Sequence, residues 1–462
     1  MVLTGPFREY LEEAIGKDNA LVAFSAFDMP ASVSVRMNPS KRCKAFEGKS
    51  VPWSMHGLTL PDRPVFTLDP LFHAGAYYVQ DSSSMFVGHV FRSILPAVDL
   101  PLDRPLRVLD LCAAPGGKTT DLAASLREAT GDGFLLVANE VMKSRAGVLA
   151  GNVALWGDPN VAVTSDDPKA FAALPGFFDV IVADVPCSGE GMFRKDAQAV
   201  EQWSEDNVAL CQARQRRIIA DVWPALAPGG MLIYSTCTFN RLENDSNVKW
   251  MEAELGAECV FGDYVPDDFK GLIRTECGCS LVPGFVDGEG QYCSVLRKGR
   301  GSCADGTPRQ GKNMRMTRAP KKEQVPKSVE RLVNVPCSFR TRGGTVVAVP
   351  SGITADVAFL GEALHVLAAG CAIGMLKGSD LVPDADLALS LIFASDAFPR
   401  VEVDRNVALA YLHRDALTFP EAPKGYLTIV YDGLPLGFVK NLGNRCNNLY
   451  PQGRRIRMDI KI

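Results

Sequence analysis

The sequence has no apolar run approaching the roughly 20 residues of a membrane span. Its first residues, MVLTGPFREYLEEAIGKD, lack the basic start, apolar middle and small-residue cleavage site of a secretion signal. Together these absences predict a soluble, cytoplasmic protein with no membrane partner. Positive charge is not in excess: 49 Lys and Arg face 53 Asp and Glu, a formal net charge of −4. A chain of that balance does not coat a polyanion by bulk electrostatics, so any nucleic-acid binding must come from local patches. The 13 cysteines are odd in number and scattered, which fits reduced thiols better than a disulfide framework. Cys277 and Cys279 form a Cys-x-Cys pair with no matching Cys or His pair, so no metal site is expected. Internal repeats and low-complexity tracts are also missing.

What is present is a chain of 462 residues, long enough for two to four domains. Between Arg107 and Lys298, short apolar runs alternate with amphipathic stretches: RVLDL at 107–111, FLLVANE at 134–140, VAVTS at 161–165, FDVIVADVP at 178–186 and MLIYST at 231–236. That rhythm predicts parallel strands with crossover helices, an α/β, Rossmann-like doubly wound sheet. The segments 259–264 and 291–298 lie close together with no long helix between them, which predicts an antiparallel pair at the sheet edge. Residues 298–331 are poor in large apolar side chains and carry ten Lys or Arg against three Asp or Glu, as expected of a basic linker. Beyond it, GGTVVAVP and AGCAIGMLKGSDLVP predict a small β-rich unit, and GYLTIVYDGLPLGFVK a hairpin of a compact barrel.

The stretch RVLDLCAAPGGKTTDLAASL joins a strand ending at Asp110 to a loop with Gly116 and Gly117, and then to a helix. Glycines allow a ligand close to the backbone, and the helix start offers free N–H groups to a carboxylate or phosphate. A phosphate-binding loop of NTPases would have glycine where Cys112 stands, and the Gly-x-Gly-x-x-Gly dinucleotide fingerprint is absent. Glu140, at the end of the second strand, is placed to accept hydrogen bonds from a ribose. Asp167, or its neighbour Asp166, stands at the next strand end, on the adenine side. Acids lined up on successive strand ends favour a nucleoside cofactor.

Asp184, Pro186 and Cys187 close the fourth strand, and Thr236 and Cys237 the fifth. Neighbouring parallel strands would put both thiols on one rim beside the cofactor loop. Carbon 5 of cytosine is not nucleophilic, and attack of a thiolate on carbon 6 turns it into an enamine-like nucleophile. Afterwards a proton must leave carbon 5 and the sulfur must be expelled, steps a second thiol can assist. An ordinary thiol is only a few per cent ionised at neutral pH, so the nucleophile needs activation by a nearby positive charge such as Lys118, a cofactor sulfonium or a helix start. Asp184 is suited to bind the amine edge of cytosine and so exclude uracil.

At these residues the sequence resembles the RNA cytosine-5 methyltransferase family that includes the bacterial Sun (Fmu) proteins, in its small-subunit ribosomal RNA branch. The likeness covers nearly the whole chain, and DVPCSGEG together with YSTCT is highly specific. It implies a class I methyltransferase core with a mostly parallel, seven-stranded sheet, and S-adenosyl-L-methionine as cofactor. The cofactor would lie on the stretch from Cys112 through Ala113, Ala114, Pro115, Gly116 and Gly117 to Lys118, with Glu140, Asp167 and Asp184 as further contacts. The resemblance makes Cys237 the nucleophile and Cys187 the cysteine of product release; the YSTCT match decides against the DNA enzymes, which use the Pro-Cys cysteine.

Upstream, SVRMNPSK and YYVQDSSSM resemble the family's N-terminal RNA-binding segment, with Arg36 as a candidate RNA contact. The C-terminal GYLTIVYDGLPLGFVKNLGNRCNNLYPQGRRIR resembles a PUA-like RNA-binding end, with Gly437, Lys440, Asn448, Tyr450, Pro451 and Arg454 matching its pattern; of these, Lys440, Tyr450 and Arg454 are the RNA-binding candidates. One departure is Gly284 in LVPGFVDGEG, where relatives usually carry a histidine, which weakens a contact role there.

The expected organisation is an N-terminal α+β RNA-binding domain at 1–78 and a methyltransferase domain at 79–299. A basic linker at 300–332, a connecting domain at 333–393 and a PUA-like domain at 394–462 would follow. The implied partner is ribosomal RNA, alone or in the assembled small subunit. Transfer RNA as substrate and a non-catalytic ribosome-assembly factor are the competing readings.

Overall fold

The computed structural model describes residues 3–300 and 325–460, apart from residues 45, 100, 102, 267, 268 and 379. Most of the expected basic linker therefore lies outside the described residues. Thr4 accepts from the Phe7 N–H and starts α1 (Gly5–Ile15), which turns at Gly16 into α2 (Lys17–Phe27). The apolar stripe Phe7, Leu11, Ile15, Ala20, Ala23 and Phe27 is buried against Phe193, Trp203 and Phe239. The N-terminal hairpin thus packs on the loops that carry Phe193, Trp203 and Phe239. Next come β1 (Val33–Met37), β2 (Lys49–Ser50), β3 (Gly57–Leu60), α3 (Pro70–His73) and β4 (Tyr77–Val79), giving an antiparallel sheet of order β2-β3-β1-β4. The helix α4 (Phe86–Ile94) then buries Phe86, Val87, Val90, Phe91 and Ile94 on the main core.

The central layer alternates strands and helices as the apolar rhythm predicts: β5 (Leu106–Asp110), α5 (Gly117–Thr130), β6 (Phe134–Asn139), α6 (Lys143–Trp156), β7 (Val161–Thr164) and β8 (Phe178–Asp184). There follow α7 (Ala197–Gln202), α8 (Glu205–Val222), β9 (Leu226–Thr236), α9 (Asp245–Leu255), β10 (Ala257–Cys259), β11 (Leu272–Arg274), β12 (Cys279–Leu281) and β13 (Gln291–Lys298). The order β7-β6-β5-β8-β9 is parallel, and β13 runs antiparallel to β9. The chain winds outward from β5 to β7 and then returns to β8, so a crevice opens at the carboxyl ends of β5 and β8, where such sheets bind ligands.

The remaining elements are β14 (Cys337–Arg342), β15 (Thr345–Pro350), α10 (Thr354–Ala363), β16 (Val366–Ala369), β17 (Cys371–Lys377), β18 (Asp380–Pro383), α11 (Ala385–Leu389), β19 (Arg400–Glu402), α12 (Arg405–His413), β20 (Gly425–Tyr431), β21 (Leu434–Asn441) and β22 (Cys446–Asn448). They supply two four-stranded sheets, β14-β15-β17-β18 and β19-β20-β21-β22. The β20–β21 hairpin turns at Asp432 and Gly433, both at positive φ (49° and 76°), as a two-residue hairpin loop demands.

Two features depart from expectation. Among the described residues the central sheet has ten strands rather than seven, because β11 and β12 extend it beyond β13 and β16, from the connecting unit, pairs with β7 at the opposite edge. Both additions cover strands that would otherwise be open edges. The expected edge pair forms as β10 against β13, but 261–263 turn away as a short 3₁₀ segment, because β12 occupies the remainder of β13's edge. Among the described residues, no helix is long and apolar enough to cross a membrane.

Candidate active site

Asp184 of β8 and Ser235 of β9 are register partners in adjacent parallel strands. The residues just beyond them therefore leave the sheet side by side, and Cys187 and Cys237 meet with their sulfurs 3.1 Å apart. The hydrogen bond to Cys237, followed by burial, raises the Cys187 thiol well above its ordinary range. Cys187 is thus held as a neutral S–H at physiological pH.

The backbone around the pair is fixed from below. The Gly191 N–H donates to the Cys237 carbonyl (2.7 Å), and a Cβ at Gly191 would lie 2.7 Å from that same oxygen, so the approach needs glycine. The Ser188 N–H donates to Glu243 Oε2 (3.1 Å), and Gln215 Nε2 and Asn240 Nδ2 donate to the same carboxylate. Burial raises Glu243 to about 7, partly offset by those donors.

Lys118 Nζ lies 2.9 Å from Asp184 Oδ2 and donates to Ser84 Oγ (2.7 Å). Burial opposes its charge, but the Asp184 carboxylate outweighs this and raises the Lys118 pKa above the ordinary value. The other Asp184 oxygen accepts from Ser235 Oγ (2.9 Å) and Gln291 Nε2 (3.0 Å). Asp184 is therefore an oriented carboxylate with a cation locked to it.

The loop from Cys112 to Lys118 contains a cis Ala114–Pro115 bond and Gly116 at φ 113°. The Ala113 N–H donates to the Asn139 carbonyl, and Arg145 Nη2 donates to the Ala114 carbonyl (2.9 Å). Tyr78 and Asn152 both donate to the Pro115 carbonyl (3.1 and 2.8 Å). Gly117 opens α5 with no side-chain cap, leaving N–H groups of the first turn for a ligand. Cys112 is half-buried, and desolvation followed by the nearby carboxylates pushes its thiol up, so it stays a neutral S–H lining the loop. Glu140 is buried at the end of β6, with Oε1 accepting from the Met142 N–H and Oε2 3.3 Å from Arg145. Asp166 Oδ2 accepts from the His365 N–H, so it ties β7 to the connecting unit. Among the described residues Asp167 accepts just the local Lys169 N–H, which leaves it the freer carboxylate of the two.

Asp110 is fully buried at the end of β5: Oδ2 accepts from Thr119 Oγ1 (2.6 Å), and among the described residues Oδ1 has no partner. Burial raises its pKa from 3.8 to about 7. Because the folded value exceeds the unfolded one, the stability it contributes is fully present below about 3.8 and is lost as pH rises through about 7. Asp110→Asn keeps the Thr119 bond without the charge. It is expected to be more stable than the parent at pH 8 by roughly 2–4 kcal/mol, with the gap closing toward pH 4, as urea melts at both pH values would show.

The expected RNA contacts are redrawn. Arg36 is 1% exposed because it lies on central strand β1, pressed against the catalytic unit. It donates to Gln80 Oε1, to the Gly117 carbonyl (3.1 Å) and to Thr120 Oγ1 (2.5 Å), sits 3.8 Å from Asp121 and stacks on Trp156. Arg36 therefore does not reach RNA; it props the start of α5. Tyr450, also 1% exposed, is buried against Tyr411 and contacts His73 Nδ1 (3.2 Å), which fastens the C-terminal unit to α3 rather than presenting a ring to a base. Its partners in the C-terminal pattern are structural too. A Cβ at Gly437 would meet Tyr411 Oη at 2.2 Å, and Asn448 Nδ2 donates to the Tyr411 carbonyl. Lys440 stays at the surface over Tyr426 and 3.5 Å from Asp380, and Arg454 pairs with Asp386 at 2.6 Å. Gly284 has φ 96° and faces Val22 and Ala26 of α2, so a side chain there would meet the N-terminal hairpin.

Sequence reasoning missed Ser84, Gln291, Glu243 and Arg145. The signals available were the motif YYVQDSSSM, which contains Ser84, and the polar run TFNRLEND after Cys237, of which Thr238, Asn240, Glu243, Asn244 and Asp245 are buried.

Comparison with known proteins agrees with this geometry. Family models match in three places: 16S rRNA methyltransferase RsmB/F over residues 99–257, the N-terminal domain of 16S rRNA methyltransferase RsmF over 3–82, and the methyltransferase RsmF PUA domain over 398–456. Ribosomal RNA small subunit methyltransferase F of Pectobacterium atrosepticum is 33% identical over 428 residues, 87% of this chain and 83% of the relative. That of Serratia proteamaculans is 32% identical over 397 residues, 82% and 78% of the two chains. Among solved structures, a methyltransferase homolog protein from Pyrococcus horikoshii aligns with TM-score 0.52 and 26% identity over 64% of this chain and 95% of that one. NSun6 from the same organism, solved with SFG, has TM-score 0.51 at 19% identity over 64% and 98%, a likeness of fold. On the sequence match over most of both lengths, the chain belongs to the RsmB/F family of 16S rRNA methyltransferases.

Proposed function

We propose that this chain transfers a methyl group from S-adenosyl-L-methionine to carbon 5 of a cytosine in 16S ribosomal RNA, acting in the cytoplasm, with Cys237 as nucleophile. The observation that carries the reading is the pair of sulfurs at the ends of adjacent parallel strands, beside a lysine–aspartate pair and an uncapped helix start. The loop suits the cofactor: the first turn of α5 has no side-chain cap and so offers N–H groups to its carboxylate, Glu140 stands where a ribose needs acceptors, and buried Asp110 Oδ1 has no partner among the described residues. Cys112 through Lys118, with Glu140, Asp167 and Asp184, would hold it; when bound it supplies the methyl group and a positive sulfonium charge.

The chain's own residues then divide the work. The Cys237 sulfur adds to carbon 6 and sends electron density to carbon 5. Asp184, oriented by Lys118, Ser235 and Gln291, accepts from the cytosine amine and disfavours uracil, which presents a carbonyl at that edge. Lys118 supplies positive charge beside the nucleophile. Solvent water takes the carbon-5 proton as the carbon–sulfur bond breaks; Cys187, a neutral thiol 3.1 Å away, gives its proton to the departing sulfur and is reprotonated from solvent. Asp184→Asn keeps the shape and removes the charge, and is expected to lower kcat by about 10²–10³-fold in a steady-state methyl-transfer assay.

The test of the whole reading uses tritiated methyl donor with deproteinised 16S RNA, assembled small subunits and transfer RNA. Label recovered as 5-methylcytidine from small-subunit RNA supports it. Label confined to transfer RNA moves the substrate assignment, and none in any RNA makes the chain an assembly factor.

A further inference from the structure

A cleft of about 810 Å³ separates α6 from β14, β15 and β16. Its floor includes Gly147 and Gly151, in the middle of α6, and a Cβ at either would meet nothing within 4 Å. Glycine inside a helix costs roughly 1 kcal/mol relative to alanine, and among the described residues no neighbour requires it here. The bare face is therefore turned toward open space.

Arg340 and Arg342, two residues apart on β14, line the opposite wall from one face of the strand. Arg342 donates to the Leu367 carbonyl (2.7 Å) and Arg340 to the Ala369 carbonyl (3.5 Å). Among the described residues neither has a carboxylate within ion-pair distance. The lining acids are already taken, Asp158 by Arg127 and Asp386 by Arg454, each at 2.6 Å. Burial and then the like charge of Arg342 lower the Arg340 pKa, and among the described residues the pair is a cation doublet with no carboxylate in ion-pair contact. Most of each guanidinium fork is free to meet phosphate oxygens. At the other end of the cleft Asn152, which also lines it, donates to the Pro115 carbonyl of the cofactor loop.

We infer that this cleft carries the sugar–phosphate backbone of the RNA substrate toward the catalytic rim, with two phosphates on Arg340 and Arg342 and the bare face of α6 allowing close approach. The inference rests on the proposed RNA substrate and extends it to a surface. In a chain of net charge −4, affinity for a polyanion must be concentrated in such patches. The cleft is also far larger than a single phosphate requires, which favours a chain over a small anion.

The test measures binding of the full-length protein to a 16S RNA fragment without methyl donor, by anisotropy between 50 and 200 mM salt. Arg340→Ala/Arg342→Ala is expected to weaken binding about tenfold and to flatten the slope of log K against log salt by about 1.4, the share of two phosphates on a single strand. In turnover, KM for RNA rises and kcat does not. Gly151→Leu raises helix propensity and fills the cleft, so it folds and yet loses affinity. Wild-type affinity and slope in both variants overturn the inference. So does an affinity loss with an unchanged slope, which would make the arginines structural supports rather than phosphate contacts. Should the wild type methylate RNA while both variants bind normally, the cleft assignment falls and the catalytic one stands. Loss of binding in the variants without methylation by the wild type has the opposite meaning.

Discussion

Cys237→Ala is expected to fold normally and to retain less than about one thousandth of the methyl-transfer rate, because without the sulfur carbon 5 of the ring stays non-nucleophilic. Folding should survive because the side chain is only partly buried and the strand end is held by the Cys237 carbonyl, which the substitution leaves in place to accept from Gly191. Cys187→Ala should behave differently. The attacking sulfur remains, while the neutral thiol that serves its departure is gone, so protein and RNA accumulate as a covalent species that survives denaturant. A denaturing gel with labelled RNA distinguishes the two variants directly. An adduct that builds up in Cys237→Ala instead would reverse the roles of the two cysteines.

Arg36→Ala should be among the most destabilising single substitutions in the chain. It removes a buried guanidinium bonded to Gln80, Gly117 and Thr120, and among the described residues leaves Asp121 with just Arg92 as a cation partner. Truncating one member of a buried charged network costs about 3–5 kcal/mol; the remaining Arg92 puts the expected loss near 3 kcal/mol, visible as a lower urea midpoint. Because Arg36 holds the first turn of α5, KM for the methyl donor should rise as well. An RNA-contacting arginine would behave in the opposite way, with unchanged stability and a higher KM for RNA alone.

That contrast shows where sequence reasoning reaches and where it stops. The parallel strands, the loop between Asp110 and α5 and the meeting of the two thiols were all legible, because each depends on a local pattern and on the rule that neighbouring parallel strands end on one rim. Glu140 and Asp184 also stand at the strand ends where they were expected. Arg36 and Tyr450 were misread because a polar or aromatic residue in a recognisable motif looks the same whether it faces solvent or a buried partner. Their partners, Gly117 and His73, lie 81 and 377 residues away. Gln291 and Ser84 escaped for the same reason, as they reach Asp184 and Lys118 only through tertiary packing. The added edge strand β16 pairs with β7 across some 200 residues of sequence, including the stretch that reads as a linker.

The pairing of β16 with β7 has a consequence for how a nucleotide is chosen. A module tethered only by a flexible connector would let the RNA-gripping surfaces wander relative to the reactive sulfur. Here a shared ladder of hydrogen bonds joins β16 to β7, and Tyr450 against His73 fastens the C-terminal unit to α3, so the inferred grip would stand at a set distance from Cys237. The target would then be selected by how far it lies along the RNA from the point of grip, as well as by the identity of its base.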